Sequence, residues 1–272
     1  MGSWLIKRLE PPVIKVALFD MAGTTVDDVI DGVPLVLAAY TSALRIGRVE
    51  VPYEELNAQR GKSKIQVFQA FVEKYRTDLS SEDQKALAQE LHDKEFVPAL
   101  LEKVPYLKEM HGTSDLFAYL RKQEVYVATG SGFPQVVTDA INAHLGWQKK
   151  GLVQFGTCGE TAGGGRPKPN MINATLVAAG WLPQGTDLSK KDGEFGYSTV
   201  LKVGDTMEDI HEGNGVGATV VAVSSGTQSV EQLVGENPRV VLPSVAALKL
   251  YAHNHLFLKR EYDKRQDQLA SY

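Results

Sequence analysis

A parallel α/β sheet interrupted by a helical insert is the fold class this sequence predicts, on three observations. Short, almost wholly apolar runs recur along the chain, as expected of strands buried on both faces. Amphipathic helical patterns lie between them, and strand alternating with helix gives an open sheet with right-handed crossovers. One long segment just after the first run holds helical patterns and no good strand.

The first strand is expected over Val13–Asp20 (VIKVALFD), with similar runs at Val125–Ala128, Val200–Val203 and Thr219–Val223 and weaker ones at Leu152–Phe155 and Val240–Leu242. Helices are expected at Asp115–Lys122, Pro134–Leu145, Asn170–Ala179 and Met207–Gly213. Within the insert, Val33–Ile46 has an apolar face, Lys64–Tyr75 sets Ile65, Phe68 and Phe71 at helical spacing, and Glu82–Leu101 is amphipathic. The expected organisation is a core in two parts, 1–30 and 112–272, with a helical cap at 31–111 between them. A cleft between two such bodies is where ligands bind and where closure excludes water. From Lys249 onward the chain reads as a polar helical extension.

Composition narrows the function. The chain has 272 residues, 43% hydrophobic and 23% charged, which are ordinary globular values. Its 29 basic and 33 acidic residues leave a net charge of −4, giving no bulk attraction to nucleic acid. Cys158 is the single cysteine, so no internal disulfide forms, and a reducing compartment is expected. The run Gly32–Leu44 falls short of the roughly 20 residues of a membrane span. The start of the chain has only Trp4, Leu5 and Ile6 before charges appear, unlike a secretory signal, and Ile6 stands where a myristoylated Gly2 would need Ser or Thr. A cytoplasmic protein without membrane or nucleic-acid partners is expected.

Four polar clusters fall at the C-terminal ends of the expected strands, where open parallel sheets bind ligands. They are DMAGTTVDD from Asp20, ATGSG with Thr129, GGGRPKPN around Arg166, and KVGDTMED with Asp205 and Asp209. Asp205 and Asp209 would repel Asp20 unless a hard cation bridged them, and Mg²⁺ held by carboxylates, a carbonyl and waters suits such a set. Thr129 and the backbone N–H groups after it can donate to phosphate oxygens, and Arg166 can neutralise the charge that spreads in phosphoryl transfer.

In this order the clusters resemble the haloacid dehalogenase superfamily, with Asp20, Thr24, Thr129, Arg166, Asp205 and Asp209 on its motif positions and the insert on its cap. The resemblance implies a Rossmann-like core and an Asp20 nucleophile that forms an aspartyl-phosphate. It also implies Mg²⁺ ligated by Asp20, Asp205, Asp209 and the backbone carbonyl of Ala22, with substrate held by Thr129, Gly130, Arg166, Arg60 and Lys64. DxAGTT, with alanine where most members have a second Asp, and GRP in place of GKP resemble the phosphonatase branch. A methyl group at Ala22 can neither protonate a leaving oxygen nor activate water. In that branch a cap lysine forms an imine with an aldehyde substrate, and Lys64 in RGKSKIQVF falls on it. The resemblance therefore implies cleavage of a small organophosphonate such as phosphonoacetaldehyde, and a homodimer, since capped members often pair.

The sequence departs from that branch at three helper positions: Arg60 replaces a methionine, Val67 a histidine three residues after the lysine, and Ser131 a tyrosine. Arg60 would favour a substrate with a second carboxylate or phosphate. Rival readings are a phosphomonoesterase of the same superfamily, a metal-free dehalogenase, and a phospholigand-binding module. Other signals are set aside. GKS at Gly61–Ser63 lacks the first glycine of a P-loop, since Leu56 stands there. The Gly163–Gly165 run reads as a flexible loop delivering Arg166, with Lys168 behind it or exposed. The acids of Asp27–Gly32 read as caps of the first cap helix, His253 and His255 as a surface pair, and Cys158 as a packing residue.

Overall fold

The computed structural model describes residues 13–60 and 62–257. The N-terminal stretch around Gly2 and Trp4–Ile6, Gly61 of the GKS signal and most of the polar tail lie outside the described residues. Six parallel strands form one sheet in the order Val240–Leu242, Thr219–Val223, Val200–Gly204, Val16–Asp20, Tyr126–Ser131, Phe155–Cys158. Strand Val16–Asp20 is central and buried throughout, as its apolar run demands. Because all six run the same way, Asp20, Ser131, Cys158 and Gly204 end at one edge.

Two strands differ from expectation. The second runs to Ser131, three residues beyond Ala128, and Phe155–Cys158 begins where the expected Leu152–Phe155 ends. In both, small and polar residues complete the strand because a neighbouring strand pairs with them: Thr129 lies opposite Phe19 and Gly156, and Gly130 opposite Asp20 and Thr157. Apolarity marks burial, and ladder pairing extends past it.

Helices cover both faces. Thr113–Lys122 and Gln135–Leu145 pack with Phe19, Phe117 and Trp147 on one side, where Phe117 meets Phe19 and Trp147 edge-on at centroid distances of 5.0 and 5.3 Å. On the other, Asn170–Ala178 packs on Val16, Leu18 and Ala128. The helix Val245–Ala252 and the π turn His253–Phe257 are apolar on one side, burying Leu248, Leu256 and Phe257, so the expected polar extension does not begin at Lys249. His253 meets Tyr119 edge-on at 6.4 Å, and His255 lies tilted over Tyr251 at 4.6 Å.

The insert leaves and rejoins the core through Val26–Asp27 paired antiparallel with Lys108–Glu109. The Thr25 carbonyl accepts from Met110 N, and Trp147 Nε1 donates to Glu109, which ties this ribbon to the core. Asp31 and Gly32, at φ 52° and 80°, form the tight turn of a two-residue hairpin, Val29–Ile30 with Val33–Pro34. The helix then starts after Pro34, which caps it without a side-chain bond. The acids of this stretch are therefore turn residues and, at Asp28, a buried ion-pair partner, rather than helix caps. Helices Leu35–Ile46, Tyr53–Asn57, Lys64–Tyr75 and Ser81–Glu90 follow. The expected Glu82–Leu101 helix is broken by a π-helical turn, Leu91–Phe96, before Val97–Lys103 resumes it. Pro98 explains the position: it has no N–H for the carbonyl four residues back and its ring crowds that carbonyl. Tyr40, Phe68 and Phe96 form the aromatic heart of the insert.

Candidate active site

Asp20 sits at the end of the central strand, 5% exposed. The turn after it folds back on Met21, whose carbonyl accepts the N–H groups of Thr24, Thr25 and Val26, and Gly23 makes the turn at φ 79°. Thr25 Oγ1 donates to the Asp20 carbonyl at 2.7 Å. Thr24 Oγ1 donates to Asp205 Oδ1 at 2.9 Å, and Thr227 N donates to Asp205 Oδ2 at 2.6 Å. A side chain at Gly226 would run into the Asp205 carboxylate, so the loop can close on it only as glycine.

Asp209 is fixed by its own helix. Thr206 caps the helix Met207–Val216, and Asp209 Oδ2 accepts from Thr206 Oγ1 at 2.6 Å in a reciprocal capping box. That leaves Oδ1 facing inward. Asp20, Asp205 and Asp209 each offer one oxygen, all within 4.8 Å of one another and all buried.

Arg166 spans this cluster. Its Nη2 donates to Asp20 Oδ1 and, at 3.1 Å, to the Gly130 carbonyl. Its Nε lies 3.1 Å from Asp209 Oδ1 and 3.5 Å from Glu212 Oε2. Burial opposes the Arg166 charge, but Asp20, Asp209 and Glu212 outweigh it and raise its pKa above the usual arginine value. The glycines that deliver Arg166 form a packed turn rather than a flexible loop: a Cβ at Gly164 would meet Asn170 Oδ1 at 2.9 Å, and one at Gly159 would meet Gly165 Cα at 2.8 Å. Lys168 is exposed.

Sequence reasoning missed Lys202 and Glu212. Lys202 is fully buried in its strand, with Nζ 2.8 Å from Asp209 Oδ1 and 3.1 Å from Glu212 Oε2. The signals were present: a lysine inside the apolar run VLKVG, and a glutamate three residues after Asp209 on the same helix face. The cluster thus holds four buried carboxylates, Asp20, Asp205, Asp209 and Glu212, against Arg166 and Lys202. Fully ionised it carries two excess negative charges, which one divalent cation would balance. Burial, reinforced by Asp209 and Asp205, pushes Asp20 up to about 7 despite Arg166, and burial likewise raises Asp205. Burial would raise Asp209 too, but Arg166 and Lys202 bring it below the usual carboxylate value. Three inward carboxylate oxygens with excess negative charge are a donor set for a hard cation, so the residues present fit a metal.

Thr129 stands apart from this group. Strand register puts it on the face of Phe19, where its hydroxyl pairs with Asn142 at 3.1–3.2 Å and is fully buried. The Thr129 hydroxyl, expected to meet substrate, lies under the helix Gln135–Leu145 against Asn142, and Ser131, on the same face of the strand but at its end, lines the cavity. Phe133 follows, its ring centroid 5.7 Å from Lys64 Nζ.

Lys64 opens the helix Lys64–Tyr75 and is 5% exposed. Among the described residues no hydrogen bond or salt bridge engages its ammonium. Burial brings its pKa down to about 8, with Asp20 opposing and Arg166 and Arg60 assisting. It lines two adjoining cavities together with Ser131, Phe133 and Arg166. The smaller, about 30 Å³, reaches Asp20, Ala22 and Arg60; the larger, about 230 Å³, extends to Gln89, His92, Asp93 and Glu160. Arg60 lies 3.7 Å from buried Asp28, which offsets its charge, so the expected preference for a second anionic group finds no free cation at Arg60.

A parallel sheet with one Asp at the end of its central strand, a buried carboxylate cluster beside it and a helical insert after that strand gives a Rossmann-like core with a candidate hydrolytic site at its strand ends. The haloacid dehalogenase-like hydrolase family matches residues 14–217, and the chain belongs to that family. Among curated relatives, the phosphonoacetaldehyde hydrolase of Bacillus cereus is 25% identical over 226 residues, covering 80% of this chain and 78% of that protein. Among solved structures, a phosphonoacetaldehyde hydrolase-like protein from Oleispira antarctica superposes with a TM-score of 0.69 at 18% identity, covering 90% of this chain and 93% of that one. A predicted phosphoglycolate phosphatase from Haemophilus somnus superposes with a TM-score of 0.66 at 18% identity, covering 88% and 98%. No helix among the described residues is long and apolar enough to cross a membrane.

Proposed function

We propose that the chain is a Mg²⁺-dependent phosphonatase-like hydrolase that cleaves a small organophosphonate carrying an aldehyde, phosphonoacetaldehyde or a relative. The observation that carries this reading is Lys64: nine-tenths buried, held by no ion pair or hydrogen bond among the described residues, and lining the cavity that reaches Asp20. Beside it Ala22 offers only a methyl group where an acid would serve an ordinary ester.

In this mechanism the free Lys64 amine attacks the substrate carbonyl and forms an imine, whose protonated nitrogen takes up electrons as the C–P bond breaks. Asp20 attacks phosphorus in line with the departing carbon and gives an aspartyl-phosphate, which water then hydrolyses. Arg166 steadies the nucleophile and the phosphoryl oxygens together, and Ser131 with the N–H groups beside it supplies further donors. Asp20, Asp205, Asp209 and the Ala22 carbonyl would hold Mg²⁺, which supplies charge neutralisation for the phosphoryl group when bound. Lys202 and Glu212 keep the Asp209 carboxylate turned inward.

A second reading is a phosphomonoesterase in which Lys64, with a pKa near 8 and so mostly protonated at neutral pH, donates its proton to an ester oxygen. One experiment separates the two. Phosphate release is measured with phosphonoacetaldehyde and small phosphate esters side by side, for wild type and Asp20→Asn, with borohydride trapping of the aldehyde in parallel. Release from the phosphonate together with trapping at Lys64 supports the first reading; release from esters alone without trapping supports the second. Turnover retained in Asp20→Asn removes the nucleophile from both.

A further inference from the structure

Imine formation sets a demand that Lys64 cannot meet alone. When the amine attacks the carbonyl carbon, the N–C bond forms and the C=O pair moves to oxygen, leaving a positive nitrogen and a negative oxygen. A proton must pass from that nitrogen to that oxygen. A second proton must reach the resulting hydroxyl so that it leaves as water while the nitrogen lone pair forms C=N. A group that both accepts and donates near neutral pH is needed, and histidine is the side chain suited to it. On the lysine's own helix the next turn offers Val67 and Phe68, both apolar and buried in the core.

The larger cavity holds one histidine. His92 lines it together with Lys64, Ser131 and Arg166, and is 9% exposed. Its ring is wedged edge-on against Phe68 at 6.0 Å and stacked near Phe96 at 5.9 Å. Phe68 lies one turn after Lys64 on the same helix, so one element positions both the amine and the imidazole. His92 Nδ1 lies 2.7 Å from Asp93 Oδ1, and Asp93 Oδ2 accepts from Gln89 Nε2, also at 2.7 Å. These bonds hold the Asp93 carboxyl below the usual carboxylate range, Gln89 contributing more than His92, so an anion faces Nδ1. An Asp-bound Nδ1 fixes the ring and leaves Nε2 as the nitrogen that exchanges protons, the same division of labour as in Asp–His pairs elsewhere. Both residues sit on the π-helical turn Leu91–Phe96, a distortion frequent at functional sites. The other carboxylate lining this cavity, Glu160, is exposed and accepts from Gln135 N, so it lacks the enclosure that would hold a proton against solvent.

We propose that His92, oriented by Asp93, is the proton-transfer residue that serves Lys64 during imine formation and hydrolysis. This rests on the Lys64 imine reading. Neutral His92 Nε2 takes the proton from the attacking nitrogen and passes it to the carbinolamine oxygen. Protonated His92 then gives a proton to the hydroxyl, water leaves, and the nitrogen lone pair closes the C=N bond. The net change is amine, aldehyde and one proton going to protonated imine and water, the spent proton returning to His92 from solvent. The steps run in reverse when the imine of the dephosphorylated product is hydrolysed.

The test follows the rate at which borohydride traps phosphonoacetaldehyde on Lys64 in the full chain with Mg²⁺, read by mass spectrometry of the Lys64 peptide. His92→Gln is expected to slow trapping about 10²-fold, the lower end of general acid–base contributions, while inorganic phosphate binds as in wild type. Imidazole added to His92→Ala is expected to restore part of the rate, which a purely structural loss would not allow. Asp93→Asn, at a half-exposed position that spares the fold, is expected to slow trapping severalfold. Wild-type rates in His92→Gln, or in Asp93→Asn should the first variant not fold, overturn the proposal and leave the Lys64 imine standing. Absence of trapping in wild type overturns the Lys64 reading, and this proposal with it.

Discussion

Lys202 Nζ lies 2.8 Å from Asp209 Oδ1 with both side chains fully buried, so a lysine inside an apolar strand fixes the orientation of a site carboxylate. Lys202 also reaches Glu212, and Arg166 faces both carboxylates from the other side. Breaking a buried pair by removing one partner leaves an uncompensated charge, which costs about 3–5 kcal/mol. Lys202→Met is therefore expected to lose about that much stability in urea denaturation. Lys202→Met/Glu212→Gln should recover part of the loss, because it removes one of the stranded charges, and a double-mutant cycle measures that coupling.

The excess negative charge of the cluster leads to a prediction about metal. EDTA is expected to abolish phosphate release and Mg²⁺ to restore it. Mg²⁺ should also raise the melting temperature of wild type, since a ligand that binds only the folded state stabilises it. In Asp205→Asn that rise should disappear, because one ligand is neutralised and the excess charge falls by one. Phosphate release that survives EDTA would remove the metal from the reaction.

The depressed pKa of Lys64 sets the sign of a pH dependence. At about 8, well below the usual lysine value, burial being the main cause, only about a tenth of the amine is free at pH 7 and about nine-tenths at pH 9. Imine trapping is therefore expected to rise roughly tenfold across that interval and then level off. A lysine at its ordinary pKa would instead keep rising beyond pH 10. Lys64→Arg should abolish trapping at every pH, because a guanidinium does not deprotonate there.

How much of this was legible in the sequence depends on what kind of signal each residue leaves. The strand runs and the aspartates at their ends could be read directly, since burial on both faces demands apolarity and the strand ends are where charge becomes tolerable. Lys64 was legible as a position, but its burial was not, because that depends on Phe133 and the core packing beneath the cap. The buried Lys202–Glu212 pair escaped because a charged residue in a strand is read as solvated until its partner from another element is known. His92 escaped because the helix around it looked regular, and only the π turn before Pro98 shows it to be special. The hairpin at Asp31-Gly32 was misread because acids before a helix suggest caps, whereas the positive φ at both residues makes a turn.

Thr129 and Ser131 give the sharpest contrast, since both stand in the same motif and on one face of the strand, yet Thr129 is covered by Asn142 while Ser131, at the strand's end, opens on the cavity. Thr129→Val removes a buried hydroxyl whose loss strands Asn142, at an expected cost of about 1–3 kcal/mol, while kcat/KM should stay within a few-fold of wild type. Ser131→Ala changes a residue that lines the cavity shared by Lys64 and Arg166, with its hydroxyl accepting from Phe133 N at 3.0 Å. It is expected to lower kcat/KM by about tenfold or more through loss of a phosphate donor, with the melting temperature nearly unchanged. Phosphate release and thermal melts on the two variants decide it. If Thr129→Val lost turnover at an unchanged melting temperature while Ser131→Ala stayed active, the assignment of Ser131 rather than Thr129 as the residue of this strand that meets substrate would be wrong.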